Sequence, residues 1–338
     1  MAVNSFGIDL GTYNIKIYNG FTDEITLYKN MIAVQNRRNL FAYGADAFTM
    51  FEKAPDNIEV SFPLKYGVIA DINHMQILLR NFINDEFHGN IKPANYYISV
   101  PTDITEVEKR AFVDLVKESN IRAKNIYIVE KASADGIGMN INAKRLESVL
   151  VVNIGFETTE ISILSMGGIV ISKLIKVGGR KFDEAIRTMV RKEYNLMIGA
   201  KTAEQVKIDL PNLIANERDA VLYGRDIVTG LPVERSVPTM LISKAMSEHF
   251  GVIIDTVRQL LERTPPELGA DIYRNGIYLT GGSCSIGNLH TLIAQTTGLR
   301  VLFSENKEAS VAYGLSQIIK NEDLHSLVYS MEDFSVYR

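Results

Sequence analysis

Two glycine turns carry the side chains in this sequence that are best suited to binding a charged ligand. The first turn, Gly11–Asn14, follows the apolar segment Phe6–Asp9 and leads into a strand that contains Lys16. Glycine leaves backbone N–H groups unobstructed, and several of them around one space form an anion-binding concavity. A carboxylate at the strand end, Asp9, is suited to hold a hydrated Mg²⁺ beside phosphate oxygens. The residues predicted to contact phosphate in this turn are Gly11, Thr12, Tyr13, Asn14 and Lys16.

A second turn repeats this pattern in the other half of the chain. Val151–Gly155 again has an apolar strand, an aspartate or its amide, one apolar residue and a glycine, with Asn153 at the position of Asp9. Two copies of one strand–turn–strand unit predict a duplicated domain with a binding cleft between the copies. The residues predicted to face the same ligand are Gly155, Phe156, Glu157, Thr158 and Thr159, and the predicted metal ligands are Asp9 and Asn153.

A third turn, Thr280–Gly282, joins a short apolar strand to a helical stretch, Leu289–Thr297. Its two glycines would let a purine lie against the backbone, and Ser283 is the next residue of this predicted site. No turn matches GxxxxGK[ST] or a GxGxxG that opens a helix, so the phosphate-loop and dinucleotide-binding motifs are excluded. Each turn alone is equally consistent with a plain hairpin or a strand-to-helix connection. The three turns together favour a binding cleft.

Composition places the chain among globular proteins without a basic region. It has 338 residues, 46% of them apolar and 22% charged, and a net charge of −4, so two domains are expected and nucleic-acid binding is not. The single cysteine, Cys284, excludes an internal disulfide framework and fits a reducing compartment. The sequence shows no signal-peptide pattern and no apolar stretch of bilayer-spanning length. A cytoplasmic location is therefore expected.

Strand and helix patterns alternate along the chain, which predicts an α/β fold with helices packed on sheets. Apolar residues at helical spacing predict a long helix from Ile242 to Leu260. Thr105 and Glu108 have the spacing of a capping box, which predicts a helix start. The segment Thr264–Glu267 predicts another start, with the threonine hydroxyl as the N-cap. The predicted strands include Phe6–Asp9, Ala94–Val100, Val149–Gly155, Ile161–Leu164 and Ile277–Leu279.

The order of these segments resembles the bacterial actin family, and within it the MreB proteins. The similar segments are Phe6–Gly20, Gly67–Asp71, Val151–Glu160, Phe182–Ile186, Thr202–Lys207, Thr229–Pro232, Thr264–Leu268 and Ile277–Leu289. The resemblance implies an actin-like ATPase fold of duplicated ribonuclease H-like domains, with two lobes and four subdomains around a nucleotide cleft. It places lobe I in residues 1–141 and 317–338, with an outer subdomain near 30–66, and lobe II in 142–316, with an outer subdomain near 180–240.

The same resemblance implies ATP or ADP with Mg²⁺ in the cleft, and self-assembly into filaments that support cell shape and cell-wall morphogenesis. Glu204 and Lys207 match positions that contact the ribose and base in this family. Their spacing on a helix places both side chains on one face. Without the family context, a surface ion pair between the two would be the preferred interpretation.

Three places depart from the MreB pattern, and all three bear on hydrolysis. Asn153 replaces an aspartate, so a cation would lose a charged ligand. Phe156 and Glu157 replace glycines and are expected to narrow the turn, and the carboxylate would repel phosphate if it pointed inward. Lys131 matches the glutamate that positions the attacking water, and a charged lysine cannot act as a base. Asp135 either orients a water instead or forms an ion pair with Lys131, and the ion pair is favoured.

Catalytic activity is therefore left open, with Lys131 and Asp135 as the candidate catalytic residues. The first hypothesis is an ATP-binding filament protein with slow or altered hydrolysis. The second is a hydrolysis-deficient MreB paralogue that acts as a scaffold or regulator of an active one. A sugar kinase of the same superfamily fits less well, because no carboxylate can be assigned as the base for a substrate hydroxyl. Expected partners are further copies of the chain, other MreB paralogues and membrane morphogenesis proteins, with weak membrane contact through the Phe87–Ile91 loop.

Overall fold

The computed structural model describes residues 4–141 and 147–330. The predicted lobe boundary at 141/142 falls at the edge of the first range, and residues 331–338 of predicted lobe I lie outside the described residues. The strands, in chain order, are β1 (Asn4–Leu10), β2 (Asn14–Asn19), β3 (Glu24–Lys29), β4 (Ile32–Gln35), β5 (Asn39–Tyr43), β6 (Ile58–Ser61), β7 (Leu64–Lys65), β8 (Val68–Ile69), β9 (Ala94–Val100), β10 (Ala123–Glu130), β11 (Val149–Ile154), β12 (Thr159–Ser165), β13 (Gly168–Ile175), β14 (Leu196–Met197), β15 (Ala220–Asp226), β16 (Pro232–Val237), β17 (Ile277–Thr280), β18 (Val301–Phe303) and β19 (Val328–Tyr329). The helices are α1 (Gly44–Met50), α2 (Ile72–Glu86), α3 (Glu106–Glu118), α4 (Lys131–Gly138), α5 (Gly179–Tyr194), α6 (Ala200–Ala215), α7 (Thr239–Glu262), α8 (Pro266–Asn275), α9 (Leu289–Thr297), α10 (Ser310–Lys320) and a 3₁₀ helix, Glu322–Leu327.

The two largest sheets have the same strand order. In the first sheet, β3, β2 and β1 form an antiparallel meander, and β9 and β10 follow parallel to β1. In the second sheet, β13, β12 and β11 form the meander, and β17 and β18 follow parallel to β11. β19 adds an antiparallel strand at the far edge of the first sheet. The α/β class and the duplication expected from the two turns are both confirmed.

The central strands are buried because helices cover the sheets. Every residue of β11 is buried, as are the last five residues of β1, which agrees with the continuous apolar runs of strands that have two covered faces. Lobe I, which contains the first sheet, has a core around Phe6, Phe82 and Phe112. Lobe II, which contains the second sheet, has a core around Phe182 and Phe250. These cores fix the ends of β1 and β11, where the first two glycine turns begin.

The predicted helix starts are found, with one correction. The Thr105 hydroxyl accepts from the Glu108 N–H (3.2 Å) and the Glu108 carboxylate accepts from the Thr105 N–H (2.8 Å), so the capping box of α3 is confirmed. The N-cap role predicted for Thr264 is wrong. Helix α8 begins at Pro266, and the Thr264 hydroxyl donates back to the Leu260 carbonyl at the end of α7 (2.7 Å). Since Pro266 has no N–H, the start of α8 has one fewer donor for a cap to satisfy.

A small outer sheet extends from each lobe. In lobe I it consists of β4, β5 and β6 with α1, and in lobe II of β14, β15 and β16 with α5 and α6. The two outer parts touch: the Glu52 carboxylate lies 3.4 Å from Arg187 Nη1 and accepts from the Ala200 N–H (2.7 Å). Lys201 Nζ donates to the Phe48 carbonyl (2.5 Å). This arrangement agrees with the expected four subdomains, whose bounds stay a prediction.

Two helices connect the lobes, and they cross in backbone contact. Helix α4 leads from β10 towards β11, and α10 leads from β18 back to β19. A Cβ atom on Gly138 would lie 1.8 Å from the Ser310 carbonyl oxygen, and one on Gly314 would lie 1.7 Å from the Ala134 carbonyl oxygen. No side chain fits at either position, so the crossing depends on both glycines.

We expect Gly314→Ala to destabilise the protein by about 3 kcal/mol, because the added methyl group pushes the two helices apart. Chemical denaturation followed by circular dichroism measures the difference. Gly251→Ala in α7 is the matched control, since no atom lies within 4 Å of its added methyl group. Alanine there should stabilise the helix by up to about 1 kcal/mol. Equal stability of the two variants would contradict a backbone crossing at Gly314.

Candidate functional site

The three glycine turns meet in one cleft between the lobes, with a volume of about 300 Å³. The first turn comes from lobe I, the second and third turns come from lobe II, and helix α6 adds two charged side chains. The predicted site residues that line the cleft are Asp9, Gly11, Thr12, Tyr13, Asn14, Lys16, Lys131, Asn153, Gly155, Phe156, Glu157, Thr158, Glu204, Lys207, Gly281, Gly282 and Ser283. Thr159 and Asp135 lie behind its wall. A cleft of this volume is large enough for a small-molecule ligand.

Gly281 lets the third turn lie directly against the second. Its φ is +85°, and a Cβ atom would lie 2.4 Å from the Ile154 carbonyl oxygen, which accepts from the Ser283 N–H at 2.9 Å. The two turns therefore meet backbone to backbone. Thr159 supports the second turn from behind, because it is fully buried and its hydroxyl donates to the Val177 carbonyl (2.8 Å).

The Asp9 carboxylate binds two ammonium groups. Its Oδ2 lies 3.2 Å from Lys16 Nζ and its Oδ1 lies 3.4 Å from Lys131 Nζ, while the Ser99 hydroxyl donates to Oδ1 at 3.1 Å. Burial alone would raise the pKa of Asp9, but the two lysines and the Ser99 hydroxyl outweigh burial and lower the pKa to about 2. Asp9 is therefore ionised at neutral pH and holds two positive charges beside the first turn.

Ser99 was not predicted, although the strand pattern contains a signal for it. It belongs to β9, which pairs with β1 in parallel and places Ser99 in register with Asp9. Parallel neighbours bring the ends of their strands to the same edge of a sheet. A polar residue near the end of the next strand was therefore a candidate neighbour of Asp9.

Asp135 is buried behind the cleft and accepts three hydrogen bonds. The donors are Asn153 Nδ2 (2.7 Å), the Thr280 hydroxyl (2.6 Å) and the Ser310 hydroxyl (2.5 Å). Burial raises the pKa of Asp135, and these donors lower it only in part. Asn153 turns its Nδ2 towards Asp135, since the amide N–H donates and the carboxylate oxygen accepts.

Tyr13 and Phe156 join the lobes across the cleft. Their ring centroids are 4.5 Å apart, and the Tyr13 hydroxyl donates to Glu204 Oε2 (2.5 Å). Burial and the Glu204 carboxylate raise the pKa of the Tyr13 hydroxyl. Both aromatic residues were predicted to line the site, but their contact was not, because nothing in either turn shows that the two rings meet.

Glu157 has its charge paired with Arg180. Its Oε1 lies 2.6 Å from Arg180 Nη1, and its Oε2 accepts from the Tyr66 N–H (2.6 Å). Arg180 therefore neutralises the Glu157 carboxylate. This weakens the repulsion of phosphate that was expected from an inward-pointing Glu157. Arg180 was not predicted, since it lies at the start of α5, beyond the segment that forms the second turn.

Helix α6 directs Glu204 and Lys207 to the cleft with different partners. Glu204 accepts from Tyr13, and Lys207 Nζ lies 2.7 Å from Asp183 Oδ1. Lys207 is buried, so it is not part of a solvated ion pair with Glu204. The same-face placement of these residues was predicted from their spacing, and contact with a ribose or base stays a prediction.

Comparison with known proteins agrees with this geometry. The family model described as "MreB/Mbl protein" matches residues 3–326. The cell shape-determining protein Mbl of Bacillus subtilis is 36% identical over 327 residues, which cover 96% of this chain and 98% of that protein. The chain belongs to the MreB/Mbl family.

Solved structures show that this MreB/Mbl chain has an actin-like fold. The crystal structure of MreB5 of Spiroplasma citri bound to AMPPNP superimposes with a TM-score of 0.89 at 34% identity and covers 96% of this chain and 98% of that chain. The MamK double helical filament shares the fold, with a TM-score of 0.77 at 19% identity over 94% of this chain and 99% of that one. The predicted actin-like fold is confirmed.

Lys131 of this MreB/Mbl chain has a fixed position and a stable charge. The ion pair that the sequence favoured, with Asp135, is corrected by the structure, in which Lys131 pairs with Asp9 and Asp135 accepts from neutral donors. Burial lowers the pKa of Lys131, but Asp9, Glu160 and Asp135 together raise it above its ordinary value. A protonated lysine has no lone pair with which to accept a proton from water.

The residues expected to hold Mg²⁺ in this MreB/Mbl chain do not fit that ion. Mg²⁺ needs oxygen ligands in octahedral geometry. Both oxygens of Asp9 face ammonium groups, and the amide of Asn153 adds no charge. Within residues 4–141 and 147–330, no three or more His, Cys, Asp or Glu side chains are placed to hold a metal ion. The cleft instead contains the ammonium groups of Lys16 and Lys131.

The Phe87–Ile91 loop turns its two apolar side chains inward. The Phe87 ring lies 5.1 Å from the Phe6 ring, and both Phe87 and Ile91 pack against the core of lobe I. Little apolar area is left to insert between lipids. In the described ranges, no helix has the length and apolar character needed to cross a membrane. Membrane contact through this loop stays a prediction.

Asn153→Asp tests the arrangement at Asp135. It replaces an amide donor 2.7 Å from that carboxylate with a second buried carboxylate, so we expect a loss of about 3 kcal/mol of stability near pH 8. The pKa of Asp135 is already raised, and a second negative charge raises it further. Because the pKa of the carboxyl group is raised in the folded state, the free energy of unfolding falls as the pH rises through that pKa. The loss of stability caused by Asn153→Asp should therefore be smaller at lower pH.

Urea unfolding at about pH 5 and about pH 8 measures the effect of Asn153→Asp. Asn153→Ala is the control, because it removes the same hydrogen bond without adding charge. The difference between these two variants should be larger at the higher pH. A difference that does not change with pH would contradict the contact between residue 153 and Asp135.

Proposed function

We propose that this protein binds ATP and ADP in the cleft, assembles into filaments that support cell shape and cell-wall morphogenesis, and hydrolyses ATP slowly. The observation that carries the proposal is the meeting of three glycine turns and two ammonium groups in one cleft. Nucleotide binding is supported by the likeness to MreB5 of Spiroplasma citri, whose structure holds AMPPNP. The cell-shape role is supported by relatives named cell shape-determining proteins, and filament assembly is carried over from the bacterial actin resemblance.

The phosphate chain is assigned to the first and second turns. Thr12 and Thr158 offer hydroxyl donors on opposite sides of the cleft, and Lys16 and Lys131 offer ammonium groups. Backbone N–H groups of both turns complete an anion site. The bound nucleotide supplies the phosphoanhydride bond, and these residues orient it and balance its charge.

The base and ribose are assigned to the other end of the cleft. There Gly281 and Gly282 leave the backbone uncovered by side chains, and Glu204 and Lys207 approach from α6. The Tyr13 hydroxyl fixes the Glu204 carboxylate by hydrogen bonding. An acceptor held in this way suits the hydroxyl groups of a ribose.

Slow hydrolysis is supported by the state of three charged residues near the first and second turns, Lys131, Asp135 and Glu157. Attack by water needs a residue that orients the water and takes its proton. Lys131 is protonated, Asp135 accepts three hydrogen bonds behind the wall, and Glu157 is paired with Arg180. None of the three is free to act on a water molecule.

A scaffold is the second candidate function, and Lys131 is the residue that favours it. A chain that binds nucleotide without turning it over keeps its filament in one state. Such a chain would copolymerise with an active paralogue or regulate it.

Attachment of the filament to a membrane would depend on many weak contacts along its length or on membrane morphogenesis proteins.

Lys131→Glu is expected to raise phosphate release from ATP by about tenfold or more, because a carboxylate at this position can orient the attacking water. A coupled phosphate-release assay on the purified chain measures the rate. Lys124→Glu, on the exposed part of β10, is the control and should leave the rate unchanged. No gain in Lys131→Glu would contradict the assignment of Lys131 to the catalytic position.

Sedimentation and electron microscopy with and without ATP separate the two functions. A filament protein should pellet alone and respond to ATP. A scaffold should pellet only together with an active paralogue. Phosphate release by the wild-type chain at the rate of that paralogue would contradict slow hydrolysis in either role.

A further inference from the structure

The two ammonium groups at Asp9 occupy the place expected of a divalent cation. We propose that Lys16 and Lys131 replace that cation, so that the cleft binds ATP and ADP with the same affinity in the presence and absence of Mg²⁺. This inference rests on the proposed nucleotide site and identifies the charges that bind the phosphates there.

Both oxygens of Asp9 already face ammonium groups. Its Oδ2 pairs with Lys16 at 3.2 Å, its Oδ1 pairs with Lys131 at 3.4 Å, and Ser99 also donates to Oδ1. The side chain is 2% exposed, so it cannot turn towards solvent to find another ligand. A Mg²⁺ ion bound here, either directly at about 2.0–2.1 Å from an Asp9 oxygen or through its waters, would lie next to both ammonium groups. The single negative charge of Asp9 is already paired with the positive charges of Lys16 and Lys131.

The other carboxylates that line the described part of the cleft are also engaged. Glu157 pairs with Arg180, Glu160 accepts from the Thr102 N–H, Glu204 accepts from Tyr13, and Glu308 accepts from Asn14 Nδ2. Asn153, at the end of β11, is uncharged, and Asp135 lies behind the cleft wall. Every carboxylate that lines the described part of the cleft therefore already has an ionic or hydrogen-bonding partner.

Lys16 and Lys131 are placed to bind phosphate because Asp9 holds them in position. Their side chains are only 12% and 21% exposed, so their stems are packed and their charged ends have little freedom. An ammonium group has three N–H donors. After the contact with Asp9, each lysine retains donors for phosphate oxygens. Charges that are already in position need no rearrangement when the anion arrives.

The two lysines also come from different parts of the lobe. Lys16 lies on β2 and Lys131 begins α4, so they approach the Asp9 carboxylate from different elements. A phosphate chain that binds both is held at two points beside the first turn. In this geometry the protein supplies both the charge and the orientation that Mg²⁺ gives to phosphates elsewhere.

Isothermal titration calorimetry of the full chain with ATP and with ADP, in buffer with Mg²⁺ or with EDTA, tests this proposal. The wild-type dissociation constants in the two buffers should agree within about threefold. Lys131→Met should weaken ATP binding in EDTA by about tenfold or more. Lys131→Glu should bind ATP only with Mg²⁺, because two adjacent carboxylates then attract the cation. Lys124→Met, on the exposed part of β10, is the control and should behave as wild type.

The comparison of wild-type affinity in Mg²⁺ and in EDTA tests the inference even if a variant fails to fold. Binding with Mg²⁺ that weakens by about tenfold or more in EDTA overturns this inference and leaves the nucleotide site standing. An unchanged affinity of folded Lys131→Met in EDTA overturns it as well. No binding of either nucleotide in either buffer overturns the proposed nucleotide site itself.

Discussion

The backbone crossing of α4 and α10 is the contact on which the rest of the structure depends. Both connections between the lobes pass through it, and Gly138 and Gly314 let the helices approach more closely than any side chain would permit. Asp135 adds hydrogen bonds at the same place, to Asn153 at the end of β11 and to Thr280 at the end of β17. The strand ends that carry the second and third turns are therefore tied to the point where the lobes are joined.

Two buried carboxylates near this point are stabilised in different ways. Asp135 is surrounded by neutral donors, and its pKa is raised because burial outweighs them. Asp9 is surrounded by two ammonium groups, and its pKa is lowered to about 2 because charge outweighs burial. A buried carboxylate must be either hydrogen-bonded or paired with opposite charge. Only pairing with opposite charge, as at Asp9, leaves positive charge facing the cleft. Asp9 lies on the side of the first turn.

Local patterns were sufficient to predict the α/β class, the duplication and the three turns that line the cleft, whereas the family resemblance implied the actin-like fold and the places of Glu204 and Lys207. A glycine turn after a buried strand, found twice, records the duplication in a few adjacent residues. Contacts between distant segments could not be read in this way, and the Tyr13–Phe156 pair and the Arg180–Glu157 pair are examples. The expected pairing of Lys131 with Asp135 was wrong for the same reason. Helical spacing made it plausible, but Asp9, on a distant strand, lies closer.

The closed outer edge of the cleft has a consequence for the rate at which a ligand is exchanged. Glu52 joins Arg187 and the Ala200 N–H, and the Tyr13 ring lies against Phe156. The lobes cannot separate at this edge until these contacts break, whereas the crossing of α4 and α10 at the opposite end can remain intact. In the proposed nucleotide site, the aromatic and ionic contacts at the rim would therefore limit how fast a ligand enters and leaves, and the charges beside Asp9 would contribute to its affinity.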